Sequence, residues 1–420
     1  MANLYHETAE PAPAGPPPSG DGRADVVVVG GGITGLSTAL HLAESGRQVA
    51  LLEAHTVGWG ASGRNGGQVN PGLKLDPDEV ERRYGVDLGG RMNALAGGAP
   101  GFVFDLIKRL GIDCQARRNG TLRTASSAHQ AQRLRATAAQ LTRRGAPVEL
   151  LEGAALAQAI GTEHYTLALL DRRGGDLHPL RYARGLAAAA RAAGATLYEN
   201  SRALSVRSTG QLWHVSTATG SIAAPRVLLA TNGYTDDLWP TLRETIIPVF
   251  GAIAASAPLT ESVARVILPG RSVAYEIGAI THYYRVDASQ RLLFGGRGPM
   301  REVSEAASIK HLLAHARQLW PATEALEWTH VWGGQLAMTT DHYPHIHEPQ
   351  PGVTICVGYN GRGVAMATVM GALLAARIID TSARFDMPIS SLQRIPLHAF
   401  WRTGVRAAII RGRCNDWLGI

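Results

Sequence analysis

The chain has 420 residues, of which 45% are hydrophobic, 18% charged and 48 glycine. That composition excludes a fibrous or largely disordered protein, and the length exceeds what one hydrophobic core serves, so two interleaved domains are expected. The net charge of +7 is accompanied by 34 acidic residues spread along the chain, so it suits an anionic cofactor as readily as nucleic acid.

Residues 1–23 contain Pro11, Pro13, Pro16, Pro17 and Pro18 but no apolar run, which predicts a disordered tail and no signal peptide. Asp25-Val-Val-Val-Val29 then reads as a central parallel strand buried on both faces. Ile33, Leu36, Leu40 and Ala43 recur at helical spacing until Gly46, and Val49-Ala-Leu-Leu52 is the next strand, which completes a βαβ unit. Residues 91–145 are alanine- and arginine-rich and helical in pattern, whereas 245–330 alternates like strands, as in Thr281-His-Tyr-Tyr-Arg-Val286. Arg226-Val-Leu-Leu-Ala230 and Val353-Thr-Ile-Cys-Val357 each run into a glycine-containing loop and are expected to rejoin the first sheet. The apolar run Gly363 to Ala376 falls short of the roughly 20 residues a bilayer requires and is read as a buried helix. Cys114, Cys356 and Cys414 form no CxxC pair; they are expected to be buried apolar residues of a cytoplasmic protein.

Gly30-Gly31-Gly32-Ile33-Thr34-Gly35 satisfies GxGxxG directly after a strand and at the start of a helix. Glycine there allows the tight turn and the close approach of backbone N–H groups to a pyrophosphate, and the helix N-terminus favours negative charge. Glu53 closes the second strand, 18 residues beyond Gly35, where a carboxylate accepts hydrogen bonds from a ribose. These features imply a dinucleotide and leave NAD and FAD open. Gly58-Trp-Gly-Ala-Ser-Gly-Arg-Asn-Gly-Gly67 adds a glycine loop able to lie flat on an extended ligand, with Ser62, Arg64 and Asn65 as donors.

Together, Gly30 to Gly35, Glu53, Gly58 to Gln68, Thr231-Asn232-Gly233 and Gly358 to Gly363 resemble the D-amino-acid-oxidase-like flavoprotein superfamily, with the closest likeness to bacterial γ-glutamylputrescine oxidoreductases. The likeness extends through Gly174-Gly-Asp-Leu-His-Pro179, Tyr283-Tyr-Arg285 and Trp332 to Pro344. It implies an α/β fold in which a Rossmann-type FAD-binding domain (24–90, 170–245 and 335–390) is interleaved with an α+β, mixed-sheet substrate domain (91–169 and 246–334), followed by an extension at 391–420. It further implies FAD, with Gly30, Gly32, Ile33, Thr34 and Gly35 at the pyrophosphate and Glu53 at the ribose. Ser62, Gly63, Arg64, Asn65, Gly66, Gly67 and Gln68 fall near the flavin, with Thr231 and Asn232, and Gly361, Arg362, Gly363 and Val364 lie beside its ring. Related sarcosine oxidases attach FAD through a cysteine near the position of Gly334 and activate oxygen with a lysine near Leu293. Neither group is present, so the flavin is expected to be non-covalent, with oxygen or another acceptor taking its electrons.

Amine oxidation by a flavin requires a neutral nitrogen and a dry site that holds the carbon–hydrogen bond over the ring. Tyr283, Tyr284 and Trp332 are candidates for an aromatic wall, and Glu276 for pairing with an amine. Arg362 replaces a histidine usual in the family and supplies a permanent charge for anionic flavin or a substrate carboxylate. His342 is a candidate for catalytic tuning, and Asp341-His342-Tyr-Pro-His345-Ile-His347 is read as the approach to the flavin strand, with no metal expected. The leading reading is oxidation of a γ-glutamylated polyamine to an imine that water hydrolyses to an aldehyde. The alternatives are an amino-acid or N-methyl-amino-acid dehydrogenase or oxidase, and a flavin domain acting on modified tRNA; the absence of a lysine-rich stretch weighs against nucleic acid.

Overall fold

The computed structural model describes residues 3–11, 15–278 and 281–418. All four residues of Val26–Val29 are buried, which is what a β-branched run achieves only inside a sheet covered on both faces. The six-stranded sheet has the order His345–Gln350, Val353–Val357, Arg226–Leu229, Val26–Val29, Val49–Leu52, Thr196–Tyr198. Its pairs are parallel except the edge pair His345–Gln350 with Val353–Val357. On one face, helices Ile33–Glu44, Pro77–Leu110, Pro179–Ala192 and Gly363–Ile379 share a single core. On the other, Trp213, Val215 and Ile222 of a four-stranded sheet pack against Val27, Leu229 and Ile355.

A second sheet of eight strands runs in the order Trp328–Met338, Ile247–Pro258, Arg291–Arg297, Tyr283–Val286, Val273–Glu276, Thr121–Ala125, Leu167–Asp171, Val148–Leu151. Because side chains alternate along each strand, the sheet sorts its residues onto two faces. Pairing sets Trp332, Ile253, Gly295, Tyr283, Tyr275 and Arg123 in one row across it. This is the front face, since Tyr283 abuts the loop at Gly66. The neighbouring residues Leu122, Ala274, Tyr284, Phe294, Ala254 and Val331 form the reverse face and bury against Trp320 and Leu312.

Three expectations are corrected. The segment 1–23 is not a disordered tail throughout. Leu4–Thr8 is helical, with Leu4 and Tyr5 buried, and Gly20–Arg23 pairs in parallel with Gly220–Ala224. Five helical residues are too few to persist alone; Leu4, Tyr5 and Ala9 are held by Leu180, Ile253, Leu293 and Trp332. Residues 91–110 do not belong with the eight-stranded sheet, because Met92, Ala96, Ala99, Val103 and Leu106 place the apolar stripe of helix Pro77–Leu110 in the core of the parallel sheet. Cys114 and Cys356 are buried as expected, but Cys414 is exposed.

Docking of the N-terminal helix rests largely on Tyr5, whose burial is worth about 2–3 kcal/mol. In Tyr5→Ala, hydrogen exchange of residues 5–9, followed by mass spectrometry, is expected to accelerate by about two orders of magnitude, because that free energy sets the local opening equilibrium. Among the described residues no helix is long and apolar enough to cross a membrane.

Candidate active site

Strand Val26–Val29 ends at Gly30, whose φ of +113° suits glycine alone. A Cβ on Gly35 would lie 2.0 Å from the Gly30 carbonyl oxygen, so the turn closes only with glycine there. Gly32 caps helix Ile33–Glu44 without a side chain, and the Ile33 N–H donates instead to Ser62 Oγ at 2.9 Å. The Thr34 hydroxyl turns inward to the Tyr359 hydroxyl at 2.7 Å, so Thr34 offers the turn its backbone and not its side chain. Glu53 accepts from the Gly31 and His55 N–H groups at 2.7 and 2.9 Å. Burial outweighs these bonds and raises its carboxyl above the usual range.

The loop after Glu53 is stapled from within and from outside. Asn65 Nδ2 donates to the Ala61 and Ser62 carbonyls, and its Oδ1 accepts from the Gly67 N–H. Asn65 therefore shapes the loop. The Arg64 guanidinium lies 4.7 Å from the Trp59 ring and donates to the Trp59 carbonyl, while its own carbonyl accepts from Trp332 Nε1 at 2.9 Å. Gly63 is buried, and Gln68 Nε2 donates to Ala274 O on the eight-stranded sheet. The Gly66 carbonyl accepts from Arg285 Nε at 2.7 Å; Arg285 also pairs with the fully buried Asp176, which Arg117 clasps with two further bonds. The segments 174–179 and 283–285 thus meet as one ion network fastening the loop to the sheet.

On the far side, Asn232 Oδ1 accepts from the Gly358 N–H at 2.9 Å, and the Thr231 and Thr235 hydroxyls lie 2.6 Å apart. Gly361 has φ +84°, and Gly363 opens helix Gly363–Ile379 with Val364 buried. Arg362 donates to Pro71 O at 3.1 Å and to the Tyr275 hydroxyl at 2.6 Å. It meets only neutral oxygens.

Of the residues expected to contact substrate, the structure brings Tyr283, Trp332 and Arg362 to the front side and does not bring the others. Tyr284 packs on Phe294 and Trp320 on the reverse face. Glu276 also lies there, bonded to Tyr165, His282 and His315. The cause is strand parity: Tyr283 and Tyr275 point forward, so their successors point back. His342 stands on an exposed turn at φ +61°, in an outer cleft with Glu79 and Arg83. Its imidazole faces the Lys74 ammonium and the Asn360 side chain of the loop 358–363.

Three residues were missed. Arg123 is buried in the front row with no partner at Nε, and Tyr275 lies beside it in register. Lys74 is open to solvent, yet the surrounding protein, followed by the charges of Arg362 and Arg123, depresses its ammonium to about 8. Among the described residues, no carboxylate pairs with Lys74, Arg123 or Arg362. Asp171, the acid whose charge acts on Arg362, is already held by two side-chain bonds and one backbone bond from Arg173. The signal available in the sequence was the rarity of lysine and a lone arginine inside a strand.

A glycine turn whose every Cβ would collide, an acid at the end of the next strand and a loop running on to the front row fit an adenine dinucleotide with its reactive end at a second sheet. That arrangement defines a dinucleotide-dependent oxidoreductase. The chain belongs to the DAO family of FAD-dependent oxidoreductases, whose model matches residues 25–377. It is 33% identical over 402 residues to the probable oxidoreductase OrdL of Rhizobium meliloti, covering 94% of this chain and 91% of that protein. It is also 33% identical over 365 residues to the γ-glutamylputrescine oxidoreductase of Escherichia coli, covering 86% and 85%. The glycine oxidase of Geobacillus kaustophilus is 27% identical over 385 residues, 89% of this chain and 97% of that one. Its crystal structure superposes with a TM-score of 0.74, covering 89% and 99% at 24% identity, and at that level attests the fold.

The cofactor is therefore FAD and the substrate class is amines or amino acids. Bound FAD would supply the acceptor for the two electrons, carried as one hydride. The chain supplies the cradle just described and a cationic rim of Lys74, Arg123 and Arg362, while Ile253, Leu293 and Trp332 pack under the N-terminal helix.

Proposed function

We propose that this protein oxidises the carbon–nitrogen bond of a γ-glutamylputrescine-like amine to an imine, which water hydrolyses to an aldehyde. The observation that carries this reading is the rim formed by Lys74, Arg123 and Arg362, which meet no partner carboxylate among the described residues. An unpaired buried guanidinium N–H costs about 1–3 kcal/mol, which a bound carboxylate relieves. A glutamyl group provides that carboxylate at one end of the substrate and leaves the amine at the other for the flavin. The likeness to the Escherichia coli γ-glutamylputrescine oxidoreductase over most of both chains supports the same reading. The test is steady-state oxidation of γ-glutamylputrescine against free putrescine. A preference of at least about tenfold in kcat/KM, or 1.4 kcal/mol, is expected; equal rates would count against a role for the glutamyl carboxylate.

The same cations favour a second reading, a dehydrogenase or oxidase of amino acids or N-methyl amino acids, supported by the glycine oxidase relative. The two differ in the distance from carboxylate to oxidised carbon, so glycine and N-methylglycine belong in the same assay.

The rim also sets a pH dependence. Below about 8 the Lys74 ammonium is charged and attracts the carboxylate; as pH rises through about 8 it neutralises and that attraction is lost. For an anionic substrate, kcat/KM, which reports free-enzyme ionisations, is expected to fall on the alkaline side in the wild type relative to Lys74→Met. Superimposable profiles would exclude Lys74 from binding.

A further inference from the structure

The reverse face of the eight-stranded sheet carries a cluster the flavin reaction does not use. Glu276 ends strand Val273–Glu276, His282 precedes strand Tyr283–Val286, and His315 lies in helix Lys310–Leu319. Glu276 Oε2 is 2.6 Å from His282 Nδ1, and Oε1 is 2.5 Å from His315 Nε2. One ligand atom from each residue lies within 4.8 Å of the others. The three side chains are only 14–16% exposed. A further shell orients them, as around metal ligands generally: the Tyr165 hydroxyl donates to Glu276 Oε1 at 2.7 Å and accepts from the Tyr284 hydroxyl, and Gln318 Oε1 faces His315 Nδ1 at 3.2 Å.

The Glu276 carboxylate turns one oxygen to a nitrogen of each imidazole, and the two rings stack 4.1 Å apart, so one divalent ion can serve all three groups at a single centre. Tetrahedral bonds of about 2.0–2.2 Å hold ligand atoms about 3.4 Å apart, so modest ring rotation completes the site. We propose that Glu276, His282 and His315 bind one divalent transition-metal ion of the zinc class, with water in the fourth position. Two imidazoles and a carboxylate form a borderline donor set that suits Zn(II) and disfavours Mg(II) and Ca(II). The ion ties the adjoining ends of strands Val273–Glu276 and Tyr283–Val286 to helix Lys310–Leu319, behind the front residues Tyr275 and Tyr283.

The test uses untagged, flavin-loaded enzyme stripped with a chelator, dialysed and titrated with Zn(II) against a chromophoric competitor, with melting temperature as a second readout. One equivalent is expected to bind with a dissociation constant of about 1 µM or tighter, raising the melting temperature. Removing a direct ligand exceeds the 10–100-fold cost of losing an outer-shell partner. His282→Ala and His315→Ala are therefore each expected to weaken binding by more than about 100-fold and to abolish the melting shift, whereas His345→Ala leaves both unchanged. Glu276→Gln is the alternative should a histidine variant lose its flavin spectrum. No Zn(II) binding by the wild type, or equal binding by His282→Ala and Glu276→Gln, would overturn the proposal.

Discussion

Asp176→Leu is expected to lower the melting temperature by about 10 °C and to yield protein largely depleted of flavin. Asp176 is fully buried between Arg285, itself almost wholly buried, and Arg117. Removing one partner of a buried pair leaves an uncompensated charge and costs about 3–5 kcal/mol, and each kcal/mol is worth about 2–4 °C in a unit of 150–250 residues. Flavin is lost with it because Arg285 holds the Gly66 carbonyl and so fixes the loop on the sheet. Asp78→Ala is the contrasting control: its bridges to Arg143 and Arg144 are exposed, and such pairs are worth about 0–1 kcal/mol. Differential scanning of both variants, with the flavin spectrum of each, checks the pair. A stable, flavin-replete Asp176→Leu would contradict the role given to the network.

The second large effect is expected from Arg362→Met. Truncating one side of a desolvated charge pair costs about 2–5 kcal/mol in binding. With 3 kcal/mol as the central value, kcat/KM for a carboxylate-bearing amine falls by about two orders of magnitude. Arg362→Lys keeps the charge without the planar fork and is expected to fall between. Free putrescine, which has no carboxylate, is expected to lose little in either variant. Equal losses on both substrates would mean that Arg362 acts through Pro71 and Tyr275, the groups it already touches.

The cofactor side of the site was legible in the sequence because its determinants are local. A valine run, a glycine turn, a helical stripe and an acid at the end of the next strand follow one another within 30 residues, and the structure places them together. The strands Arg226–Leu229 and Val353–Val357 were legible for the same reason. The substrate side was not, because it depends on parity and pairing. Tyr283 and Tyr284 are equivalent in composition, and a one-residue offset in where the strand starts exchanges front and back. That offset sent Tyr284 and Glu276 to the reverse face. Arg123 reaches the front row through a parallel pairing with a strand about 150 residues away in the chain, which no local pattern encodes. Leu4 and Tyr5 form too short an apolar pair to register as periodicity, although their burial is complete.

Anaerobic titration of the purified enzyme with γ-glutamylputrescine, putrescine, glycine and N-methylglycine, while the flavin's visible absorption is followed, tests whether an amine with a remote carboxylate gives its electrons to the flavin. Bleaching by γ-glutamylputrescine is expected at concentrations where putrescine and the two amino acids leave the spectrum unchanged. Bleaching by glycine or N-methylglycine, with none by γ-glutamylputrescine, would contradict it.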